Sequence, residues 1–346
     1  PDGRNYTPGI SDFQEGSGRY IKASLNAGQR AFKYTAPSGF KCLCTQNLPD
    51  LFSGDALNDP SKYFDTLLWT GNSQDDREIK GLKFGPDLIW NKIRNEDGGA
   101  RMIDILRGSD ERLLTHQDVA QTDNDNEIQE FRDNGFQIGD RDEINDSGNT
   151  YVAWCWDAGT STVSNTDGDI TASVRASPDS GFSIIKFTSN ATDNQTIGHG
   201  LTAAPSLIII KNIDATEDWW VIHEGCHATD PWNDRALFLN STAAITGSWG
   251  TVNNVATPNT VVNISNSTNT APNDDTNDKI MYCFAPIPGF SAFGGYQGKG
   301  GKPFVHLGFR PKFLMIRATT TGRNWILIDG KRFPHNGDMD ALYANS

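Results

Sequence analysis

The chain has 346 residues, 36% hydrophobic and 10% aromatic, which is enough for two or three domains with cores of their own. Its formal net charge is −13 and it has no large cluster of Lys and Arg, which argues against nucleic-acid binding because that function needs a basic face. No apolar run reaches the length of a membrane span, so membrane insertion is not predicted either.

Residues 1–50 form an N-terminal arm and linker. Within them, Arg30–Thr35 and Phe40–Thr45 flank the turn residues Pro37, Ser38 and Gly39, which predicts one hairpin without a core of its own. Since the first residue is Pro1 rather than Met, we expect the chain to be an excerpt of a longer polypeptide. The cysteines number five, which excludes a complete disulfide framework and predicts reduced thiols, most of them buried.

The next elements repeat. Three segments share one pattern, a proline followed by a polar residue, an apolar run and a basic residue: Gly85–Lys92, Ala204–Lys211 and Arg310–Arg317. A proline at the start of a strand removes no hydrogen bond from the ladder, and an apolar run predicts a strand that is buried on both faces. Each segment therefore predicts a buried strand.

A second apolar strand follows at a constant distance in each copy. The spacings from Pro86 to Asp104, from Pro205 to His223 and from Pro311 to Asp329 are all 18 positions. Three equal spacings indicate a structural repeat rather than chance, and a repeat must be recognised before the fold is assigned.

Each predicted unit also has an opening strand and, in two cases, a closing strand. The opening strands are predicted at Phe64–Gly71, Gly181–Thr188 and Gly289–Tyr296, and the closing strands at Tyr151–Trp156 and Ile280–Ala285. No closing strand follows in the third unit before Ser346. We therefore expect either that the polypeptide continues or that a neighbouring chain covers the open sheet edge.

The predicted fold class is all-β, with tandem β-sandwich-like units. After the arm, the predicted bounds are 51–177 for unit 1, 178–288 for unit 2 and 289–346 for an incomplete unit 3. Polar residues fill the connection from Asp157 to Ser180. Helix content is expected to be low and limited to short turns in connections such as Gly108–Asp118.

One segment matches a zinc motif literally but not in context. His223, Glu224 and His227 satisfy the H-E-x-x-H pattern, whose chemistry requires both histidines on one helix face. Here the motif follows a predicted strand and contains Gly225, so we predict that the two histidines share no metal ion. No metal and no cofactor are predicted. Asp123–Glu127 resembles a calcium loop that lacks the required Gly and terminal Glu.

Two acidic residues at strand ends have an Arg three positions later. Asp104 with Arg107 and Asp329 with Arg332 occupy equal positions in two units, which predicts an ion pair that fixes the loop after the strand. We predict no catalytic residues. Trp232 and Trp249, in the polar loops of unit 2, are the candidates for glycan contacts because aromatic rings stack on sugars.

The segment Gly28–Phe40, continuing through Cys44–Pro49, resembles the junction after a SPRY-type β-sandwich in tail-fibre-like virion proteins of marine bacteriophages. The later strands, among them Phe64–Trp69 and Pro303–Arg317, are similar to the β-rich repeat region that follows that junction. The resemblance implies an all-β structural protein of the virion and supplies no catalytic residues. Residues 1–27 do not contain a SPRY body, so we assume no property of that domain for this chain.

We therefore predict a non-enzymatic virion protein, a tail fibre or appendage that is extracellular when assembled and contributes to host attachment. Its predicted partners are other virion proteins, further copies of itself as a trimer, and a host cell-surface glycan. One alternative is a non-catalytic carbohydrate-binding module of a bacterial surface or secreted protein. A second is a hydrolase, which would need a cleft with paired carboxylates.

Overall fold

The computed structural model describes residues 59–226, 235–244, 246–247, 260–266, 272–298, 304–320, 322–333 and 341–346. The N-terminal arm and its cysteines lie outside these residues. The regular structure described is almost entirely β-strand, with one four-residue helix, α1 (Asp142–Asn145), and two short 3-10 turns. This confirms the all-β prediction. Among the described helices, none has the length and hydrophobicity to cross a bilayer.

The described strands number 22. In chain order they are β1 (Phe64–Thr70), β2 (Arg77–Lys80), β3 (Leu88–Ile93), β4 (Arg101–Asp104), β5 (Glu111–Leu114), β6 (Thr122–Asp123), β7 (Ile128–Arg132), β8 (Gly135–Ile138), β9 (Thr150–Trp156), β10 (Thr162–Asn165), β11 (Ala172–Ser177), β12 (Phe182–Thr188), β13 (Gln195–Gly198), β14 (Leu207–Asn212), β15 (Trp220–His223), β16 (Arg235–Phe238), β17 (Thr246–Gly247), β18 (Val261–Ile264), β19 (Asp278–Phe284), β20 (Phe313–Ile316), β21 (Ile326–Asp329) and β22 (Leu342–Tyr343).

The large sheets repeat one topology. The first has the order β1-β9-β3-β4-β5-β6, and the second has β12-β19-β14-β15-β16-β17 preceded by the hairpin β10-β11. A third sheet, β20-β21-β22, corresponds to β3-β4-β5. All pairings within these sheets are antiparallel. We refer to residues 64–156, 162–284 and 313–346 as repeats 1, 2 and 3.

The registers match residue by residue. Leu88 pairs with Asp104, Leu207 with His223, and Phe313 with Asp329. Each first residue lies two positions after a proline, so the three prolines precede equivalent strands. The prediction drawn from the constant spacing is confirmed.

Repeats 1 and 2 are two-layer sandwiches. A small sheet, β2-β8-β7 in repeat 1 and β13-β18 in repeat 2, provides the second layer. In repeat 1 the enclosed core joins Leu67 and Ile89 of the large sheet to Phe136 of the small sheet. In repeat 2 it joins Ile208 to Val262 in the same way. Each large sheet therefore buries one face within its own repeat.

The opposite faces of the large sheets meet in a shared core. Alternate strand residues point to opposite faces, so Trp154 of repeat 1, Tyr282 of repeat 2 and Leu327 of repeat 3 enter one apolar cluster while their neighbours face the individual sandwiches. The three repeats accordingly belong to one compact unit, Gly54–Ser346. Cys155 and Cys283 are fully buried, as predicted.

Two sequence predictions about secondary structure are wrong. Residues 289–296 form turns and irregular backbone, with one isolated bridge between Ile287 and Ser291, instead of an opening strand. In repeats 1 and 2 the opening strand pairs with a closing strand, and the described part of repeat 3 supplies none. The connection Gly108–Asp118 contains strand β5 rather than turns alone, because Leu113 is needed in the shared core.

Candidate functional site

The carboxylate of Asp104, at the end of β4, organises the junction between repeats 1 and 2. Its Oδ1 accepts hydrogen bonds from the backbone N–H groups of Leu106 and Arg107, each at 3.1 Å. Its Oδ2 accepts from Arg107 Nε at 2.6 Å and from the Tyr282 hydroxyl at 2.8 Å. Tyr282 belongs to repeat 2, so a strand-end acid of one repeat is bound by the closing strand of the next.

Asp329 repeats this arrangement at the junction between repeats 3 and 1. Its Oδ1 accepts from the backbone N–H groups of Lys331 and Arg332, and its Oδ2 accepts from Arg332 Nε at 2.6 Å. The second donor to Oδ2 is Trp154 Nε1, at 3.1 Å. Trp154 holds the same register position in β9 that Tyr282 holds in β19.

The ion pairs predicted at the two strand ends are therefore present. Both are buried, since the side chains of Asp104 and Arg107 are 0% and 1% exposed and those of Asp329 and Arg332 are 0% and 2% exposed. Burial opposes the charged form of the Arg107 guanidinium, but the adjacent Asp104 carboxylate raises the pKa of Arg107 above its ordinary value. Burial, followed by the charge of Asp104, raises the pKa of Tyr282.

His223 takes the place of the acid in repeat 2. Its Nδ1 accepts from the backbone N–H of Gly225 at 2.8 Å, which copies the turn made by Oδ1 of Asp104. Burial lowers the pKa of His223 to about 4. The Phe293 ring lies 6.4 Å from the imidazole, so an apolar ring adjoins this histidine. His223 ends strand β15, as predicted. His227 lies outside the described residues, so the prediction that the two histidines share no metal ion stays a prediction.

A cation bridges each pair of repeats at the sixth position after the repeated proline, and it is buried in repeats 1 and 2 and half-buried in repeat 3. Lys211 Nζ donates to the carbonyl oxygens of Asp118 and Glu217, each at 2.9 Å, so it joins repeats 2 and 1. Lys92 Nζ donates to the Ser346 carbonyl and joins repeats 1 and 3. Arg317 NH2 donates to the Ala243 carbonyl and joins repeats 3 and 2. Burial lowers the pKa of both Lys92 and Lys211 to about 8.

A tryptophan just before the second strand makes a further link. Trp219 Nε1 donates to the Leu114 carbonyl at 3.0 Å, from repeat 2 to repeat 1. Trp325 Nε1 donates to the Phe238 carbonyl at 2.8 Å, from repeat 3 to repeat 2. The equivalent residue in repeat 1 is alanine, and there the Thr115 hydroxyl donates instead to the Ala344 carbonyl at 2.7 Å. In each of these side-chain links the donor belongs to one repeat and the acceptor to the preceding one, and the donors of repeat 1 reach repeat 3.

At these junctions, each buried carboxylate and its hydrogen-bond donors hold one another in place. Oδ2 of Asp104 and of Asp329 each accepts two side-chain donors, and Oδ1 of each accepts two backbone donors. A carboxylate that is saturated in this way and shielded from solvent stabilises the partners it holds, because each donor would otherwise be buried without an acceptor.

One acidic cluster among the described residues has metal-like spacing. Carboxylate oxygens of Glu217, Asp274 and Asp275 lie within 4.8 Å of one another. The Lys279 ammonium already pairs with two of the three carboxylates, 2.9 Å from Asp275 Oδ2 and 3.2 Å from Glu217 Oε2, and its side chain is 1% exposed. Burial, and next the charge of Glu217, raises the pKa of Asp274 to about 6. The cluster is an ion-pair network around a lysine.

Two other sequence candidates have different outcomes. Glu127, in the segment that resembles a calcium loop, is buried against the guanidinium groups of Arg101 and Arg112. Its carboxylate therefore serves an internal ion pair. Trp232 and Trp249, the candidate glycan contacts, lie outside the described residues.

The sequence did not reveal which donors cross the junctions. A usable signal was present, because Trp154 and Tyr282 each directly precede the cysteine that aligns the closing strands, and both carry a polar hydrogen on a large ring. Their acceptors are 175 and 178 positions away along the chain. A pairing over that distance cannot be derived from local periodicity.

Comparison with known proteins gives one family. A family model described as a domain of unknown function, DUF7483, matches residues 59–346. No curated protein and no solved structure matches the chain.

Proposed function

The chain belongs to the DUF7483 family of domains of unknown function, and we propose that it is a non-catalytic structural protein of a virion. In this proposal it forms part of a tail fibre or another appendage, associates with other virion proteins and contributes to attachment to the host. It is extracellular once the particle is assembled.

The ring of buried links between the repeats carries the proposal. Tyr282 ties repeat 2 to repeat 1, Trp154 ties repeat 1 to repeat 3, and Trp325 ties repeat 3 to repeat 2. Separate β units joined only by linkers would bend at each joint, whereas units that share a core and buried ion pairs transmit force as one body. A fibre that positions a particle on a cell needs that stiffness.

The resemblance of Gly28–Phe40 and of the later strands to tail-fibre-like phage proteins supports the choice of a virion over other structural settings. The acidic surface, with a net charge of −13, suits a protein that must stay dispersed outside the cell.

Locating the polypeptide on intact particles tests the proposal. Purified phage that encodes the chain would be analysed by mass spectrometry and labelled with a gold-conjugated antibody raised against residues 59–346. We expect the label at the tail or its appendages, and no label on particles from which the gene has been deleted. Absence of the polypeptide from purified particles would contradict the proposal.

A second measurement addresses attachment. The purified protein, added in excess, should slow adsorption of the phage to its host, while the heat-unfolded protein should not. If a glycan is the receptor, the variants Trp232→Ala and Trp249→Ala should lose this competition. Glycan binding by a protein that is absent from particles would instead favour the carbohydrate-binding module.

A further inference from the structure

Among the described residues, the first strand of repeat 3 has a neighbouring strand on one side only. Its equivalents, β3 and β14, pair on that side with the seven-residue strands β9 and β19 over six positions each. In the described part of repeat 3, β20 lies at the end of its sheet and pairs only with β21. An open edge presents backbone N–H and C=O groups that can pair with another strand.

The residues of β20 are less buried than those of the equivalent strand β3. All six residues of β3 are buried, whereas all four residues of β20 are only half-buried. Leu314 and Ile316 point to the face that in repeat 2 carries Ile208 and Ile210, which are 0% and 1% exposed. Two apolar side chains therefore remain partly in water beside the free edge, and a partner that covered them would remove apolar surface from solvent.

The charge around this edge is opposite to that of the whole chain. From residue 289 to residue 346 there are eight Lys and Arg residues and three Asp residues, although the chain as a whole has a net charge of −13. Lys312, immediately before β20, is exposed. The partner should therefore carry acidic groups beside its own edge.

The chain itself contains such an edge. Strand β10 ends the eight-stranded sheet of repeat 2 and pairs only with β11. It has four residues, as β20 does, and its Val163 is 52% exposed. The segment around it, residues 157–180, contains four Asp residues and one Arg.

We propose that copies of this chain associate head to tail, with β10 of one copy pairing antiparallel with β20 of the next. The register follows from the faces of the two sheets. Val163 lies on the same face of the sheet of repeat 2 as its cross-strand neighbours Val174 and Ile185. This face is equivalent to the face of the third sheet that carries Ile316. Opposing Val163 to Ile316 brings the exposed Asp167 alongside Lys312.

Self-pairing of either edge is less favourable. Two antiparallel copies of β20 centred on each other would bring Lys312 of one against Arg317 of the other, and like charges across a strand pair are destabilising. Contact between β10 and β20 uses two different surfaces. Such a contact closes into a ring or continues as a filament, and a ring of three would be the predicted trimer. The inference does not depend on the location of the chain in a virion.

Charge reversal tests the pairing. Sedimentation velocity of the full chain should show association that grows with concentration. Lys312→Glu and Asp167→Lys should each remain single chains at the concentration at which half of the wild type is associated. Mixing these two variants should restore association, with the two kinds of chain in alternation, because β20 of each variant is compatible with β10 of the other variant but not with β10 of its own. The double variant should associate like the wild type.

Two controls make the outcome decisive. Tyr296→Lys changes an exposed aromatic side chain that belongs to neither β10 nor β20 and should leave association intact. The double variant Val163→Cys, Ile316→Cys should form disulfide-linked multimers on mild oxidation, beyond any seen for oxidised wild type. Circular dichroism would confirm folding of each variant. A wild type that stays a single chain, or association that survives both charge reversals unchanged, overturns the proposal.

Discussion

Removing the hydroxyl of Tyr282 is the sharpest test of the junction between repeats 1 and 2. Phenylalanine fills nearly the same volume in the shared core, so Tyr282→Phe removes one hydrogen bond with little change in packing. The lost bond is 2.8 Å long, lies wholly within the protein and ends on the ionised carboxylate of Asp104. Hydrogen bonds to charged groups contribute about 1.5–3 kcal/mol, and we expect the unfolding free energy to fall by that amount.

The partner variant fixes the origin of the effect. Asp104→Ala leaves the Arg107 guanidinium, which is 1% exposed, without its counter-charge, and breaking a buried ion pair in this way costs about 3–5 kcal/mol. In the double variant the hydroxyl has no acceptor left to lose. The double variant should therefore lose less unfolding free energy than the sum of the two single losses, with a coupling energy of about 1 kcal/mol or more.

Urea unfolding followed by tryptophan fluorescence and by far-ultraviolet circular dichroism measures these values. Tyr296→Phe, at an aromatic residue that is 55% exposed, is the matched control and should behave as wild type. The reasoning fails if Tyr282→Phe lies within about 0.5 kcal/mol of wild type, which is the usual range for surface substitutions, or if the two variants are strictly additive.

Other outcomes follow from the same junctions. Lys211→Met leaves carbonyl groups without their donor and should cost about 1–3 kcal/mol in urea unfolding, unlike Lys312→Met at an exposed site. The pKa of Lys211 falls from 10.5 to about 8 on folding, so between pH 8 and pH 10.5 the unfolded chain binds more protons than the folded chain. In this pH range the stability of the wild type should therefore rise with pH relative to that of Lys211→Met. The imidazole of His223 should titrate near pH 4 by nuclear magnetic resonance; as the pH falls from 6.5 to 4, wild-type stability should drop relative to His223→Gln, and a titration near 6.5 would contradict its burial. Since burial raises the pKa of Cys155 and of Cys283, a thiol reagent should modify them only after unfolding, and rapid modification of the native protein would show that these strands are not buried.

Spacing alone located the repeated strands. Proline before an apolar run has a local physical meaning, so the positions of Pro86, Pro205 and Pro311 predicted three equivalent strands that the registers confirm. The ion pair of Asp104 with Arg107 was equally accessible, because its partners are three residues apart. Local chemistry was sufficient for both.

The failures concern interactions at long range. Gly289 and Phe290 resemble the start of the opening strand at Gly181 and Phe182, but a strand also needs a neighbour to accept its hydrogen bonds, and repeat 3 offers none among the described residues. The small second sheet of repeat 2 was missed because β13 and β18 are short and lie 60 or more residues apart. The donors that cross the junctions were missed for the same reason.

The closure of repeat 1 onto repeat 3 has a consequence for biosynthesis. Trp154 finds its acceptor 175 residues later and Lys92 finds its acceptor 254 residues later. A ribosome adds about 5–20 residues per second, so these buried groups of repeat 1 wait roughly ten to fifty seconds for their partners. During that interval the face that will enter the shared core is exposed in the nascent chain, and a chaperone that shields apolar strands would find its substrate there.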